Sequence, residues 1–586
     1  MKMEGGNGLS WRRTILIGGV QGEGVASTGI NLMRALAGLG YHVYGERKFS
    51  SRIKGGNTHM IITIGDDHVT CVESVIDIIL AFDEESISFN QIKLRDNGII
   101  LMDETLTPEA SLTQNINTVA LPLTLMAKKH GSLLMKNTSA IGYLGKLLGI
   151  QRQVLESSIA KTYLSKGDEV IQQNLQVLLA AYDDPCPELE KIDPLPDAPH
   201  RQESMMILMG NDAIALGALM AGCRFMAAYP ITPASDVMET MSRVFPDEGG
   251  LMVQTEDEVA AITMCIGAGY AGVRSMTATS GPGLTLMMEG LGLAGMTETP
   301  IVVVDAQRGG PSTGLPTRTE QSDFSALYHA GHGEFPLILL TPSTIEECYE
   351  LTKEAFNLAD IFQCPVVVMT DLNLSLSPQT IPAFDYVPAA INRGVLMSLE
   401  DELSAAKITE PFARYALTEN GLSPRSFPGM PGGIHQVTGL EHNKWGRPSD
   451  QPANRQKMMD KRLRKLEPLK DQSAVHLEQR DGKMLCLTCG SSWGVLQQAV
   501  KDTYLSVDIG RISRIRPLPK RQLQQLLANY EKIIVMEQNQ QGQLALILRQ
   551  ELNHQNNIVS MTRYDGESFQ VQEVRHLLEG WCSEWK

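Results

Sequence analysis

The sequence predicts an α/β protein of three α/β modules joined by linkers. Three observations carry this. Short apolar, strand-like runs alternate with stretches whose apolar residues recur at helical spacing. Glycine-rich turns fall between the two kinds of segment, and two stretches of different composition divide the chain. With 586 residues there is room for roughly four domains of about 150 residues, and far more core than one small module buries.

The first module, expected over 1–182, opens with an apolar strand at 13–17, breaks at Gly18-Gly-Val-Gln-Gly22-Glu-Gly24 and enters a helix over 25–39. Further strands are expected at 60–64, 75–82 and 98–102. The stretch 183–203 reads as a linker, because five prolines between 183 and 199 deny helix and sheet their donors. A second module over 204–388 carries strand candidates at 251–254, 301–305, 337–340 and 366–369, with helices over 237–244 and 259–271. From 389 to 478 the chain turns polar and basic, with one charged helix expected over 455–470, and reads as a connecting or partner-wrapping segment. The last module, 479–586, alternates strand 484–487, helix 493–503, strand 506–509, helix 520–529 and strand 532–536.

Composition narrows the function. Lys plus Arg number 51 against 67 Asp plus Glu, a formal charge of -16, which opposes capture of phosphate backbones or anionic lipid and so speaks against a nucleic-acid partner. No run of 18 apolar residues is present and the first residues hold no unbroken apolar segment, so no membrane partner is expected and the expected location is cytoplasmic. The 9 cysteines are an odd number without paired spacing, which fits a reducing compartment and buried thiols. Cys486 and Cys489 form one CxxC, but its apolar flanks read as a core strand and no further ligands are near; no metal site is expected in this chain.

In open parallel sheets ligands sit beyond the carboxyl ends of strands, so the loops after apolar runs are searched for chemistry. The Gly18–Gly24 turn allows backbone N–H groups to meet a phosphate at a helix start, or serves as a tight turn with no ligand. Arg52 and Lys54 beside Gly55-Gly56 suit an anion or a solvated turn. In Tyr229-Pro-Ile-Thr232-Pro-Ala-Ser235 two prolines bracket Thr232, and Ser235 is expected as the N-cap of the next helix. Glu256-Asp257-Glu258 stands at the entry of a very apolar helix, where carboxylates favour the helix dipole and one of them has room for a functional role. Thr277-Ala-Thr-Ser-Gly-Pro-Gly283 and Arg308-Gly-Gly-Pro-Ser-Thr-Gly-Leu-Pro-Thr317-Arg318-Thr-Glu320-Gln-Ser-Asp323 read as one extended binding loop.

These blocks, in this order and spacing, resemble the alpha subunit of 2-oxoacid:ferredoxin oxidoreductases, of the 2-oxoglutarate synthase type. Residues 13 to about 180 resemble that family's gamma domain, here fused in front of alpha, and the last module, with Glu537-Gln-Asn539 and Gly542-Gln-Leu544, its smaller transketolase C-terminal-like domain. The middle module then corresponds to the pyrimidine-binding domain for thiamine diphosphate. One departure stands in the gamma-type turn, which reads Gly19-Val20-Gln21-Gly22 where the family has Gly-Gly-Gln-Gly.

The resemblance implies oxidative decarboxylation of a 2-oxoacid, 2-oxoglutarate first, with coenzyme A, giving acyl-CoA and carbon dioxide. It implies a thiamine diphosphate site shared with a beta subunit, which is expected to hold Mg2+ and an iron–sulfur cluster and to pass electrons to ferredoxin, in a heterodimer or a dimer of heterodimers. Glu258 aligns with the glutamate that meets the cofactor's aminopyrimidine ring, Thr232 and Arg308 with positions that hold the oxoacid, and Tyr229 and Thr317 complete that pocket. Glu256 is expected to cap its helix, and Arg318 to meet a distal carboxylate or a surface acid. Gly19, Gly22 and Gly24 are the candidate cofactor-binding positions of the first module. Pyruvate or a branched-chain oxoacid is the alternative substrate, and a non-catalytic subunit of the same fold the alternative class.

Overall fold

Each apolar run that alternates with a helical stretch becomes a strand covered by helices, and a computed structural model arranges these strands in three sheets. It describes residues 11–50, 56–107, 116–199, 204–384, 386–397, 411–501, 503, 505–552 and 557–583. The first sheet runs Asn117–Leu121, Leu94–Asp103, Ile76–Ala81, Arg12–Val20, Asn57–Gly65, His42–Lys48, Gln379–Pro382, Met205–Leu208. Its first four strands are parallel and the rest antiparallel. The helix Val25–Leu39 leaves the glycine turn through Gly24, whose φ of 83° needs no Cβ, and closes on a left-handed Gly40.

The middle sheet runs Arg514–Arg516, Ile338–Leu340, Pro365–Asp371, Ile301–Gln307, Ser275–Thr279, Phe225–Ala228, Leu251–Gln254, all parallel except the first. The third runs Val475–Glu478, Val507–Ile512, Met484–Thr488, Lys532–Glu537, Ile558–Thr562, again parallel apart from its first strand. Cys486 lies in the core of that sheet, as the CxxC reading expects, and none of the nine cysteines is in a disulfide.

The modules are interlaced more than the sequence suggests. Met205–Leu208 and Gln379–Pro382, from the stretch expected as the second module, extend the first sheet, and Arg514–Arg516 from the last module edges the middle one. One apolar core runs without a break from Val303 and Leu339 to Leu485, Ile533 and Leu544. Val475–Glu478 belongs to the third sheet, which therefore begins before the expected boundary at 479.

Several local expectations are corrected. The 455–470 helix is two, Pro452–Arg464 and Glu467–Lys470, because Pro468 cannot sit in a helix interior and takes the first turn of the second. Thr277–Gly283 is not loop: Ser275–Thr279 is a fully buried strand, and Gly281 begins the helix Gly281–Met296 with Pro282 in its first turn. Ser235 is not an N-cap; it is already the first helical residue of Ser235–Val244, after Ala234.

The 411–470 stretch wraps the middle module and is anchored by buried ions. Lys461 and Lys465 Nζ reach Glu298 at 2.6 and 2.9 Å, and Arg274 and Arg425 grip Asp360 at 2.9 and 2.6 Å. Among the described residues no helix is long and apolar enough to cross a membrane, and no group of three or more His, Cys, Asp or Glu side chains converges as a metal site.

Candidate active site

Four carboxyl ends of the parallel middle sheet open at one edge: after Ala228, Gln254, Thr279 and Gln307. Tyr229 and Thr232 follow the first, Glu258 the second, Ser280 and Gly283 the third, Arg308 the fourth. This is where parallel sheets place ligands.

Glu258 begins the helix Glu258–Tyr270 and is 6% exposed. The cap of that helix is Asp257, whose carboxylate accepts from Ala260 N at 2.7 Å, and not Glu256, which is exposed. Capping needs an extended residue directly before the first helical one, and Asp257 holds that place. Glu258 is thus left for another role at the helix head. The facing helix Gly281–Met296 presents Gly283, where an added Cβ would run into Oε1 and Cγ of Glu258 and Oγ1 of Thr279.

Arg308 is 6% exposed and donates from Nη1 to the backbone carbonyl of Thr232 at 2.7 Å, which ties two of the expected substrate residues together. Its Nε is buried without a partner. Tyr229 is partly exposed beside them. Thr317 is half-buried further along the Arg308 loop and does not line the cleft that Arg308 borders. Arg318 binds Glu567 at 2.7 Å, so of its two expected partners the acid on the protein is the one observed.

That cleft, of about 800 Å³, lies between the middle and C-terminal modules, with Arg308, Glu320 and Asp323 on one side and Asn539, Gln543 and Tyr564 on the other. Gln321 locks the two walls: its amide donates to Asp371 Oδ2 at 3.0 Å and to the Cys489 carbonyl at 2.9 Å, and its Oε1 accepts from Gln538 N at 3.1 Å. Burial raises the pKa of Glu320, against hydrogen bonds from Ser322 and the Gly310 backbone. The sequence reading gave no single role to Asp305, Glu320, Asp323 or the Asn539–Gln543 wall. The signal available was an acid at the carboxyl end of a buried strand, which is a place for chemistry rather than for core.

The glycine turn lies apart, in the first sheet. Gly22 is in open space, but Glu23 folds back so that its carboxylate accepts from Val20 N at 3.0 Å, putting a negative group where an anion is expected. Arg52 and Lys54 lie outside the described residues.

Comparison with known proteins agrees with this layout. Three family models match: pyruvate ferredoxin/flavodoxin oxidoreductase over residues 14–183, the thiamine diphosphate-binding part of pyruvate flavodoxin/ferredoxin oxidoreductase over 216–461, and pyruvate:ferredoxin oxidoreductase core domain II over 483–574. The second runs through most of the 389–478 stretch expected as a connector. A 2-oxoacid:ferredoxin oxidoreductase subunit alpha from Sulfolobus is 32% identical over 97% of this chain and 96% of its own. The 2-oxoglutarate synthase subunit KorA of Methanocaldococcus jannaschii is 34% identical over 64% of this chain and 99% of its own. A solved 2-oxoglutarate:ferredoxin oxidoreductase from Magnetococcus marinus, with 2-oxoglutarate, coenzyme A and succinyl-CoA bound, is 33% identical and superposes with a TM-score of 0.88 over 97% of this chain and 99% of that one. With relatives matched along almost its full length, the chain belongs to the alpha subunits of the 2-oxoacid:ferredoxin oxidoreductases.

Proposed function

We propose that this subunit carries the pyrimidine side of a thiamine diphosphate site and the carboxylate-binding side of a 2-oxoglutarate site. The single observation that carries the reading is the convergence of Glu258, Thr232 and Arg308 at one edge of the parallel sheet. The residues fit an aminopyrimidine ring. Glu258 is a buried acceptor at a helix head, Gly283 lets it lie where any side chain on the facing helix would collide with it, and the buried Ser280 Oγ has no partner. When bound, thiamine diphosphate supplies the carbanion chemistry that releases carbon dioxide from a 2-oxoacid.

The chain's own groups orient and exchange protons. Glu258 holds or gives up a proton at its carboxylate against the ring nitrogen, in a site from which helix packing excludes water. Arg308 offers a guanidinium fork to the substrate carboxylate, and Thr232 a hydroxyl, with Tyr229 beside them; Thr317, which does not line the cleft, is left out of this pocket. Gly22 and Gly24 at the head of Val25–Leu39 are the positions proposed for a phosphate, that of coenzyme A being the one the reaction brings, which has to displace the Glu23 carboxylate from Val20 N; Gly19 lies within the paired strand Arg12–Val20. The preference for 2-oxoglutarate is supported by the similarity to KorA and to the Magnetococcus marinus enzyme.

A beta subunit completes the site in this reading, bringing the diphosphate and Mg2+ ligands and an iron–sulfur cluster that feeds ferredoxin, within a cytoplasmic heterodimer or dimer of heterodimers. The support is the outer face of the two helices at the site. It is largely apolar, with Val259, Met264 and Leu286 facing outward beside the exposed Thr263, Thr285 and Glu289. The division of the chain at 182/183, 203/204 and 388/389 is part of the same proposal, with the last unit beginning at Val475 rather than at 479 and the interlaced strands acting as staples between units.

The test is co-purification followed by dye reduction. The chain expressed with its partner should reduce a viologen in the presence of coenzyme A fastest with 2-oxoglutarate, and more slowly with pyruvate or branched-chain oxoacids. A faster rate with another oxoacid would move the specificity, and no rate with any oxoacid in an iron-loaded complex would favour a non-catalytic subunit.

A further inference from the structure

Beneath the Arg308 loop, three ionisable side chains come together with polar atoms left unmatched. Asp305, near the end of Ile301–Gln307, is fully buried and neither of its carboxylate oxygens has a hydrogen-bond partner. It pairs in register with Thr279, whose Oγ1 adjoins Glu258 Oε1 across Gly283. Asp323 lies on the wall of the cleft, with both oxygens 3.3 Å from where a Cβ on Gly281 would stand, at the head of Gly281–Met296. Its Oδ2 is buried without a partner, as is Arg308 Nε. An unmatched buried polar group costs about 1–3 kcal/mol. Three such groups in one place are hard to explain as packing and easy to explain as a device that must stay uncommitted until substrate arrives.

The electrostatics give the device a direction. Burial drives Asp305 well above the usual carboxylate range, and the neighbouring Asp323 charge adds to this. Burial also pushes Asp323 up to about 7, against the Arg308 guanidinium and with Glu320 adding to the rise. Two desolvated carboxyls side by side do not both ionise, so Asp305 is the one that stays protonated and Asp323 the one that titrates. The charged or titratable groups facing Asp323 are Arg308 and Glu320 from its own loop and Asp305 from the strand below. The helix head at Gly281 and the Asn539–Gln543 wall present no charge.

We propose that Asp323 is a positioning residue that acts on the substrate carboxylate through Arg308. Protonated, it leaves the guanidinium free for the oxoacid; ionised, it draws the guanidinium to itself and competes with the oxoacid. This rests on the reading of Arg308 as the carboxylate ligand. The consequence is a KM for the oxoacid that rises with pH through neutrality, while kcat follows a profile of its own.

The experiment compares wild type, Asp323→Asn, Asp305→Asn and Arg308→Ala in the enzyme assembled with its partner, with KM and kcat for 2-oxoglutarate measured across neutral pH. Wild-type KM should rise several-fold, approaching about tenfold per pH unit once Asp323 is ionised. Asp323→Asn should hold KM near its low-pH value throughout. Asp305→Asn, which replaces a neutral group by a neutral group, should keep the wild-type trend and midpoint. Arg308→Ala should raise KM at every pH. If Arg308→Ala leaves KM unchanged, the carboxylate reading falls and the proposal with it. If Arg308→Ala raises KM but Asp323→Asn retains the wild-type trend, or wild-type KM is flat with pH, the proposal alone is wrong. Should Asp323→Asn fail to assemble, Asp305→Asn still decides: loss of the trend there would make Asp305 the titrating group and overturn the assignment.

Discussion

Glu258 and Gly283 occupy facing positions on the two apolar helices at the site, so close that a Cβ on Gly283 has no room beside Glu258 Oε1 and Cγ. Gly283→Ala must therefore push the glutamate off its position or open the helix pair. Overpacking of this kind costs about 1–3 kcal/mol. We expect a modest fall in melting temperature and a much larger fall in turnover. Gly292, on the same helix but with nothing within 4 Å of its added Cβ, supplies the control: Gly292→Ala should leave turnover near wild type.

Glu258 itself gives the sharper outcome. Asp257, not Glu258, caps the helix, so Glu258→Ala removes no cap and should leave folding and partner assembly intact. A positioned acid or base contributes about 10²–10⁴-fold, and dye reduction should fall by that order. Near-native activity in the assembled variant would remove Glu258 from the reaction.

The order of modules was readable because alternating apolar runs and glycine turns are local signals. Among the strands that were missed, Phe225–Ala228 and Ser275–Thr279 are short and rich in Ala, Ser and Thr, and such residues carry no clear periodicity. The pairing of Met205–Leu208 and Gln379–Pro382 onto the first sheet joins residues more than 150 positions apart, which no local pattern encodes. At the site, Glu258, Thr232 and Arg308 were legible through the resemblance of the blocks around them, and Glu258 and Arg308 also by their places at a helix entry and after an apolar strand. Asp305 and Asp323 were not, because what sets them apart is the hydrogen bonds they lack, and that depends on neighbours brought in by folding.

Glu298 holds the 411–470 wrap in place. Burial alone would raise its pKa, but Lys461, Lys465 and Arg414 hold it far below the usual range, while burial, against the pull of Glu298, pushes Lys461 down to about 7. The two shifts are compatible: one carboxylate stabilises three crowded cations, and the crowding makes one proton easy to lose. In the unfolded chain the glutamate takes up its proton near 4.5, so its contribution is present above that pH and is lost as pH falls below it. Lys461 adds a rise of the same sign at higher pH, since the unfolded chain binds its proton more tightly between about 7 and 10.5 and stability from this group rises with pH there. Glu298→Gln should destabilise by about 3–5 kcal/mol at neutral pH, because it leaves buried cations unpaired. Thermal unfolding of wild type and variant at two pH values tests this: the deficit should shrink at alkaline pH, where Lys461 gives up its proton, and a deficit independent of pH would show that the cluster is not what the variant disturbs.

The outer face of Glu258–Tyr270 and Gly281–Met296 supplies the last prediction. Large apolar side chains in the open are unusual at such density, yet beside Thr263, Thr285 and Glu289 on this face Val259 is 45% and Leu286 53% exposed, close in sequence to the site residues Glu258 and Gly283. A partner seated there covers the apolar area and closes the site against water in one step. Val259→Asp and Leu286→Lys put a charge on that face without touching the core residues Ile262, Cys265 or Leu291, so the isolated chain should keep its melting temperature. Co-purification of the partner should fall sharply, because an unpaired charge buried at the centre of an interface costs several kcal/mol. Combining the two substitutions with Glu258→Ala separates the roles: Glu258→Ala alone yields an assembled but inactive complex, whereas the face variants yield an unassembled chain. Partner capture at wild-type level by the face variants would assign this surface to something other than the subunit interface.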